Sequence, residues 1–436
     1  MLIYVDFGKT KIDQGLPEVV EPFFAPAPDH RLLLSAVAMT QSDVSAFGPL
    51  RGVRVLDLSR VLAGPWATQT LADMGAEVIK VERPGVGDDT RQWGPPFTTT
   101  PDGTRSDAAY FMCTNRGKRS VELDMASPEG ADAIRKLARD ADVVVENFKV
   151  GGLKKYGLDY ASLSAINPKL VYCSITGFGQ DGPDAHRAGY DYMIQAMGGL
   201  MSVTGQPDGS DGAEPMKVGV AVVDLFTGLY ASNAILAALW HARETGVGQH
   251  IDIALFDVQA AVLANQATNF FVSGKVPTRM GNAHPNLAPY QPFPCSDGMI
   301  IIAVGNDGQF RKLAEALGQP PLGVDERFAK NADRVANREL LMPILDTLTQ
   351  VHSMSELMAL LEQHGVPCGP INRIDQVFEE AQARHRGLVV EQARDDLSAP
   401  IKTVASPIRL SKTPVRYNRP PPALGADNDL LKSLKD

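Results

Sequence analysis

Between residues 52 and 175, short apolar runs alternate with segments of helical spacing, and this alternation constrains the fold more than any other feature. Residues 53–58 form a short, mostly apolar run, 65–74 carry helical spacing, and 76–81 are strand-like again. The cycle repeats at 120–123, where a strand-like run precedes Ser127-Pro128-Glu129. There serine serves as N-cap and proline takes the first helical position, where its missing N–H costs nothing. That helix runs to about Asp140, and residues 142–145 return as a buried strand. A third round places a short helix at 160–166 and a strand at 170–175. Parallel neighbours need a crossover, so such a chain closes into a parallel sheet with helices on both faces. After the first strand stands Leu62-Ala63-Gly64-Pro65 rather than G-x-G-x-x-G, and no Walker A loop occurs. The standard dinucleotide fingerprint and a nucleotide-driven ligase are thereby disfavoured.

The stretch 217–257 poses a chemical question. Residues 218–239 are nearly all apolar or small, with one charged side chain, Asp224. Arg243 and the glycines Gly246 and Gly248 close the run, which reads as a buried helix with a basic last turn and a glycine stop. A carboxylate at the entrance to such a helix needs a reason, because burying an unpaired charge is costly. Two reasons stand. Asp224 is an N-cap, accepting from free backbone N–H groups. Alternatively it is a nucleophile, kept ionised by the helix N-terminus and stripped of water by the apolar wall.

Beyond Asp257 the texture changes. Residues 280–294 are rich in proline and asparagine and read as an ordered loop. A strand follows at 299–304, then helical stretches at 309–317, 340–349 and 354–364. The expected organisation is a large α/β domain over 49–260, a linker and small α+β domain over 261–387, and a tail from 388 to 436 that returns to the large domain. Residues 1–48 read as a poorly ordered N-terminal extension, with Met39 as a second plausible start. Its acidic residues Asp6, Asp13, Glu18, Glu21 and Asp29 are wrong for a transit peptide.

The 436 residues carry 51 Asp plus Glu against 42 Lys plus Arg, the opposite of a nucleic-acid footprint. Cys113, Cys173, Cys295 and Cys368 lie far apart, with no spacing for a metal or redox pair, as in a reduced cytoplasmic protein. The longest apolar run is interrupted by Asp224, Thr227 and Asn233, so no clean membrane span is expected.

Several segments together resemble the class III CoA-transferase family. They are GVRVLDLSRVLAGPWATQTLADMGAEVIKVERPGVGDDTR (52–91), NRGKRSVELDM (115–125), ADVVVENF (141–148), GYD (189–191) and the 217–257 stretch. The resemblance implies a Rossmann-like large domain with a parallel sheet, a smaller α+β domain, and an enzyme that moves CoA from an acyl-CoA to a free carboxylic acid. It implies Asp224 as nucleophile, working through an aspartyl anhydride and an aspartyl–CoA thioester. CoA contacts are implied at Arg83, Leu123, Asn147, Phe148, Lys155 and Tyr190. The phosphates of CoA want basic groups, and Arg91, Lys118 and Arg119 are further candidates by residue type. Asn147-Phe148 follows a buried strand, where ligands of α/β sheets usually sit.

Tyr190 bears on the reaction. α-Methylacyl-CoA racemases share the fold but carry histidine there, and a phenol titrating near 10 is a poor acid/base substitute for imidazole. A racemase is therefore the first alternative, and a non-catalytic CoA- or dinucleotide-binding protein the second. Leu62 stands where formyl-CoA transferase has glutamine, and the glycine-rich loop of that enzyme is not recognisable. Oxyanion stabilisation is then expected from backbone N–H groups near Ala63-Gly64. The segments at 281–286 and 305–310 resemble the branch that pairs succinyl-CoA with dicarboxylate acceptors, with Asn282 and His284 as candidates for the distal carboxylate. The resemblance further implies an interlocked homodimer. No metal, permanently bound cofactor, nucleic acid or membrane is expected; an acyl-CoA enters as substrate.

Overall fold

The computed structural model describes residues 48–434, so all but the last residue of the expected 1–48 extension lies outside the described residues. Six strands form one sheet: Arg54–Asp57 (β1), Glu77–Glu82 (β2), Lys118–Glu122 (β3), Val143–Glu146 (β4), Val171–Thr176 (β5) and His250–Ala254 (β6). All neighbours are parallel, in the order β3-β2-β1-β4-β5-β6. This is the doubly wound order, whose direction reverses between β1 and β4, and ligands of such sheets bind outside the carboxyl ends of the strands. β4 and β5 are buried along their whole length, which is why both read as continuous apolar runs. β6 was hidden in the sequence. At the far edge of the sheet, its residues 250–253 alternate between exposed and half-buried before the buried Ala254.

The period-2 alternation of the strands sends Val55, Val143, Val145 and Cys173 into one core, and Leu56, Val144 and Tyr172 into another on the opposite face. Helix α1 (Ala63–Asp73) packs in the first core; α2 (Pro128–Arg139) and α3 (Tyr160–Ile166) cover the second. The expected cap on α2 is present, Ser127 Oγ accepting from Gly130 N at 3.0 Å. Two further helices, α4 (Asp191–Met197) and α5 (Val222–Thr245), pack beside α1. α5 ends as expected, with Gly246 at φ 76° and its N–H donating to Ala242 O. α5 and α1 approach closely: a Cβ at Gly228 would stand 2.7 Å from Ala63 O.

α5 departs from expectation in its surroundings. Only one face is buried, along Val223, Thr227, Ala231, Ile235, Ala238 and Ala242. The opposite face presents Phe226, Leu229, Tyr230 and Trp240 to solvent, Trp240 at 70% exposure. By length and composition α5 also meets the requirement for a membrane span, because the polar residues are too few to lower its hydropathy. Its buried face packs in the core against α1 and the sheet.

The later part of the chain builds a separate hydrophobic core. An antiparallel sheet of Tyr290–Cys295 (β7), Gly298–Ala303 (β8) and Cys368–Pro370 (β9) packs under Asp307–Ala316 (α6), Arg338–Thr349 (α7) and Met354–Gln363 (α8). α8 carries a full capping box, Ser353 with Glu356. The last residues return to β3: Asp427 N donates to Ser120 O, and Asn428 Oδ1 accepts from Glu122 N. This cover protects an otherwise open sheet edge.

Candidate active site

A cleft of about 590 Å³ opens at the carboxyl ends of the strands. The segments that follow β1 to β5 all reach it, together with the first turn of α5. Arg83, Leu123, Asn147, Phe148, Lys155, Tyr190 and Asp224 all line this one cleft, although they span 142 residues of sequence (83 to 224, inclusive). Asn282 and His284 do not.

Asp224 is the third residue of α5 and does not cap it. The cap comes from elsewhere. Asp191 Oδ1, at the start of α4, accepts from Val223 N at 2.8 Å and Asp224 N at 3.3 Å. Its Oδ2 accepts from Gln195 Nε2 at 2.7 Å, while Gln195 Oε1 takes Val218 N at 2.9 Å. The Asp224 carboxylate itself receives no hydrogen bond or ion pair among the described residues. Burial, and then the Asp191 charge, push its pKa up to about 7. The N-cap reading is thus overturned, and a half-buried, unpartnered carboxyl is left facing the cleft. Tyr110, absent from the sequence reading, stands close enough for Asp224 to act on it: burial first, then the Asp224 charge, raise its phenol to about 12.

The wall facing Asp224 is the entrance to α1. Val61 sits at φ 72°, a strained conformation for a β-branched residue. Its N–H points to the Asp88 carboxylate at 3.3 Å from either oxygen. Asp88 is buried, which alone would raise its pKa, but the Lys80 ammonium at 2.9 Å and the Thr90 N–H bring it below the usual carboxylate range. The strained turn leads into α1, which has no side-chain cap and no acidic residue in its first turn. The Ala63 and Gly64 N–H groups donate to nothing within the described residues, so a positive helix end lies open beside the cleft, as expected of that segment. The loop after β5 is pressed against the segment leading to Tyr190. A Cβ on Gly177 would lie 2.6 Å from Gly189 Cα, so both positions require glycine.

Six cations line the cleft: Arg60, Lys80, Arg83, Lys149, Lys155 and Arg187, of which Lys80 is buried against Asp88. Arg60 pairs with Asp89 and Arg187 with Asp184. Arg83 and Lys149 have no ion pair among the described residues; Lys155 lies over the Tyr156 ring at 4.7 Å. Arg60, Lys149 and Arg187 escaped the sequence reading, since an isolated surface cation carries no local signal. Asn147 proves to be a clip. Its Oδ1 accepts from Arg60 N at 2.9 Å and its Nδ2 donates to Arg60 O at 2.7 Å, joining the β1 and β4 loops. Arg60 then covers the Phe148 ring at 5.1 Å.

Three other basic candidates are corrected. Arg91 is buried, forked onto Glu82 at 2.7 and 2.8 Å, paired with Asp107 and lying over Phe111. Lys118 is buried on Asp57 at 3.0 Å. Arg119 pairs with Glu77 and Asp427 and is not among the residues lining the cleft. The first two hold the sheet together and are out of a phosphate's reach. His284 accepts at Nδ1 from Asn286 N and Leu287 N, at 3.0 and 3.1 Å, and so organises its own turn. That bonding leaves the proton on Nε2. Asn282 is exposed.

The model of CoA-transferase family III matches residues 50–428. The chain belongs to that family. This CoA-transferase is 56% identical over 377 residues to the succinate–glutarate CoA-transferase of Agrobacterium fabrum, covering 86% of this chain and 93% of that one. To the succinyl-CoA:glutarate CoA-transferase of Homo sapiens it is 44% identical over 385 residues, covering 88% and 85%. A crystal structure of a CAIB/BAIF family protein from Brucella suis matches with a TM-score of 0.78 at 52% identity, covering 89% of this chain and all of that one. The expected family, fold class and enzyme class are borne out, and CoA thioesters are substrates of such an enzyme.

Proposed function

We propose that this enzyme moves CoA from succinyl-CoA to a second dicarboxylate of similar length, with Asp224 as the covalent nucleophile. One observation carries the role of Asp224: it is a carboxyl with no partner of its own, in the cleft, on the first turn of a helix capped by another residue. An Asp224 oxygen attacks the thioester carbon, the C–S bond breaks, and CoA leaves as thiolate, giving a mixed anhydride. The thiolate then attacks the Asp224 carbonyl carbon, expelling succinate and leaving an aspartyl–CoA thioester. The acceptor carboxylate reverses both steps. The open N–H groups of Ala63 and Gly64 supply donors for the developing oxyanion. Arg83, Lys149 and Lys155 offer charge to the CoA phosphates. The dicarboxylate acceptor is supported by the glutarate named in both curated relatives. His284 Nε2–H is a donor suited to a distal carboxylate only if another element, or a second copy of the chain, completes the site.

The apolar stripe on α5 and the exposed Phe271, Val272 and Val276 support assembly with a second copy. The large and small domains, the interlocked dimer and the cytoplasmic location expected above are retained as parts of this proposal. Intact-protein mass spectrometry with succinyl-CoA, followed by trapping and peptide mapping, tests the chemistry. The expected result is a CoA or acyl adduct on the Asp224 peptide, lost together with turnover in Asp224→Ala. An Asp224→Ala variant that still turns over would refute the nucleophile.

A further inference from the structure

We propose that Asp191 is a positioning residue for the reaction: its carboxylate holds the first turn of α5 in register and keeps a fixed negative charge beside the Asp224 carboxyl. The inference rests on the CoA-transfer reading of Asp224 and deepens it. α5 begins at Val222 after Ala221, which has no side chain able to cap. Orphan N–H groups of its first turn are met from 32 and 33 residues away, through the bonds from Val223 and Asp224 to Asp191 Oδ1. The second oxygen is held by Gln195, which is wholly buried and also anchors Val218 N. The contact between Gly177 and Gly189 fixes the backbone just before Tyr190-Asp191. One carboxylate therefore links α4, the 218–224 segment and the nucleophile.

Its charge matters because backbone N–H groups and Gln195, rather than a cationic side chain, hold it. Neither Asp191 nor Asp224 has an ion pair among the described residues. Asp191 is the charged group acting on Asp224, and Asp224, Cys113 and Asp191 in turn act on the Tyr110 phenol. α1 and the first turn of α5 bring no cation. A carboxylate held beside a like charge is more basic, so it attacks a thioester more readily, and it must be deprotonated to do so. Placement matters as well, since displacing a reacting atom by about 1 Å can cost roughly 10²-fold in rate.

Two variants separate charge from placement. Asp191→Asn keeps an oxygen for the two backbone N–H groups while removing the charge and the acceptor for Gln195 Nε2; Asp191→Ala removes all three. The readouts are the pH dependence of kcat/KM for succinyl-CoA and of single-turnover formation of the enzyme–CoA thioester, with CoA affinity and melting temperature alongside. For Asp191→Asn the acid limb should move down by about one pH unit, a normal environmental spread for carboxyls, with CoA affinity within about twofold of the parent. For Asp191→Ala thioester formation should slow by roughly 10²-fold. If Asp191→Ala fails to fold, Asp191→Asn still decides. An unmoved acid limb in Asp191→Asn, with unchanged turnover, overturns the proposal. Absence of any adduct in the parent enzyme would instead overturn the CoA-transfer reading, a distinct result from an adduct whose pH dependence ignores Asp191.

Discussion

Replacing Asp224 by asparagine should abolish turnover and yet stabilise the fold, and the gain should depend on pH. Its carboxyl is raised from 3.8 to about 7 in the folded protein, by burial first and by Asp191 second. About three units at roughly 1.4 kcal/mol each amount to ~4 kcal/mol. Asp224 is half-buried, so solvent screening halves this to about 2 kcal/mol. Below pH 3.8 both folded and unfolded states hold the proton, and the group contributes nothing. Between 3.8 and 7 the folded state keeps a proton that the unfolded state has released, so stability falls as pH rises; above 7 the full cost persists. Asp224→Asn, nearly isosteric and uncharged, escapes that cost. Its advantage over the parent should be about 2 kcal/mol at pH 8 and under about 1 kcal/mol at pH 5. That difference would appear as a melting temperature a few degrees higher at the upper pH and a smaller gain at the lower. All other titrating groups are common to both proteins and cancel in the comparison. An equal gain at both pH values, or a loss at pH 8, would refute the idea that the Asp224 carboxyl is held at the expense of stability.

Removing the uncommitted cations should act on substrate binding: Arg83→Ala and Lys155→Ala should each raise KM for succinyl-CoA about tenfold, as expected for one charged hydrogen bond, with kcat nearly unchanged. Steady-state kinetics check this, and an unaltered KM in both would remove them from the phosphate site. Arg91→Ala should behave oppositely, because it strands the buried Glu82; a loss of about 3–5 kcal/mol should appear in thermal melts. A properly folded Arg91→Ala enzyme with only a raised KM would contradict its structural assignment. Sedimentation velocity should give twice the chain mass, since the α5 stripe otherwise leaves Trp240 in water; a monomer at working concentration would reject the dimer.

The sequence carried much of the fold because its signals are local. The 160–166 helix appears at those residues, and the Ser127 cap and the Gly246 stop are made by neighbours within one turn. Apolar β4 and β5 announced a doubly covered sheet, and the residue types around 83, 147 and 224 carried the resemblance through which the family shows. β6 was missed because an edge strand, half-covered, loses the apolar signature of its neighbours.

What the tertiary structure alone decided are relations across long separations. Sequence makes Asp224 a plausible N-cap; only the fold brings Asp191 to the helix end and leaves the Asp224 carboxyl unpartnered in the cleft. Sequence makes Arg91 and Lys118 as suitable for phosphate as Arg83; only burial against Glu82 and Asp57 takes them out of reach. An apolar helix reads as buried on all sides, while packing leaves one face of α5 uncovered. Periodicity and capping depend on residues a few positions apart, so a linear reading captures them. Charge pairing, desolvation and the assembly of a cleft depend on which strand ends the parallel order places side by side, and that is a property of the folded sheet.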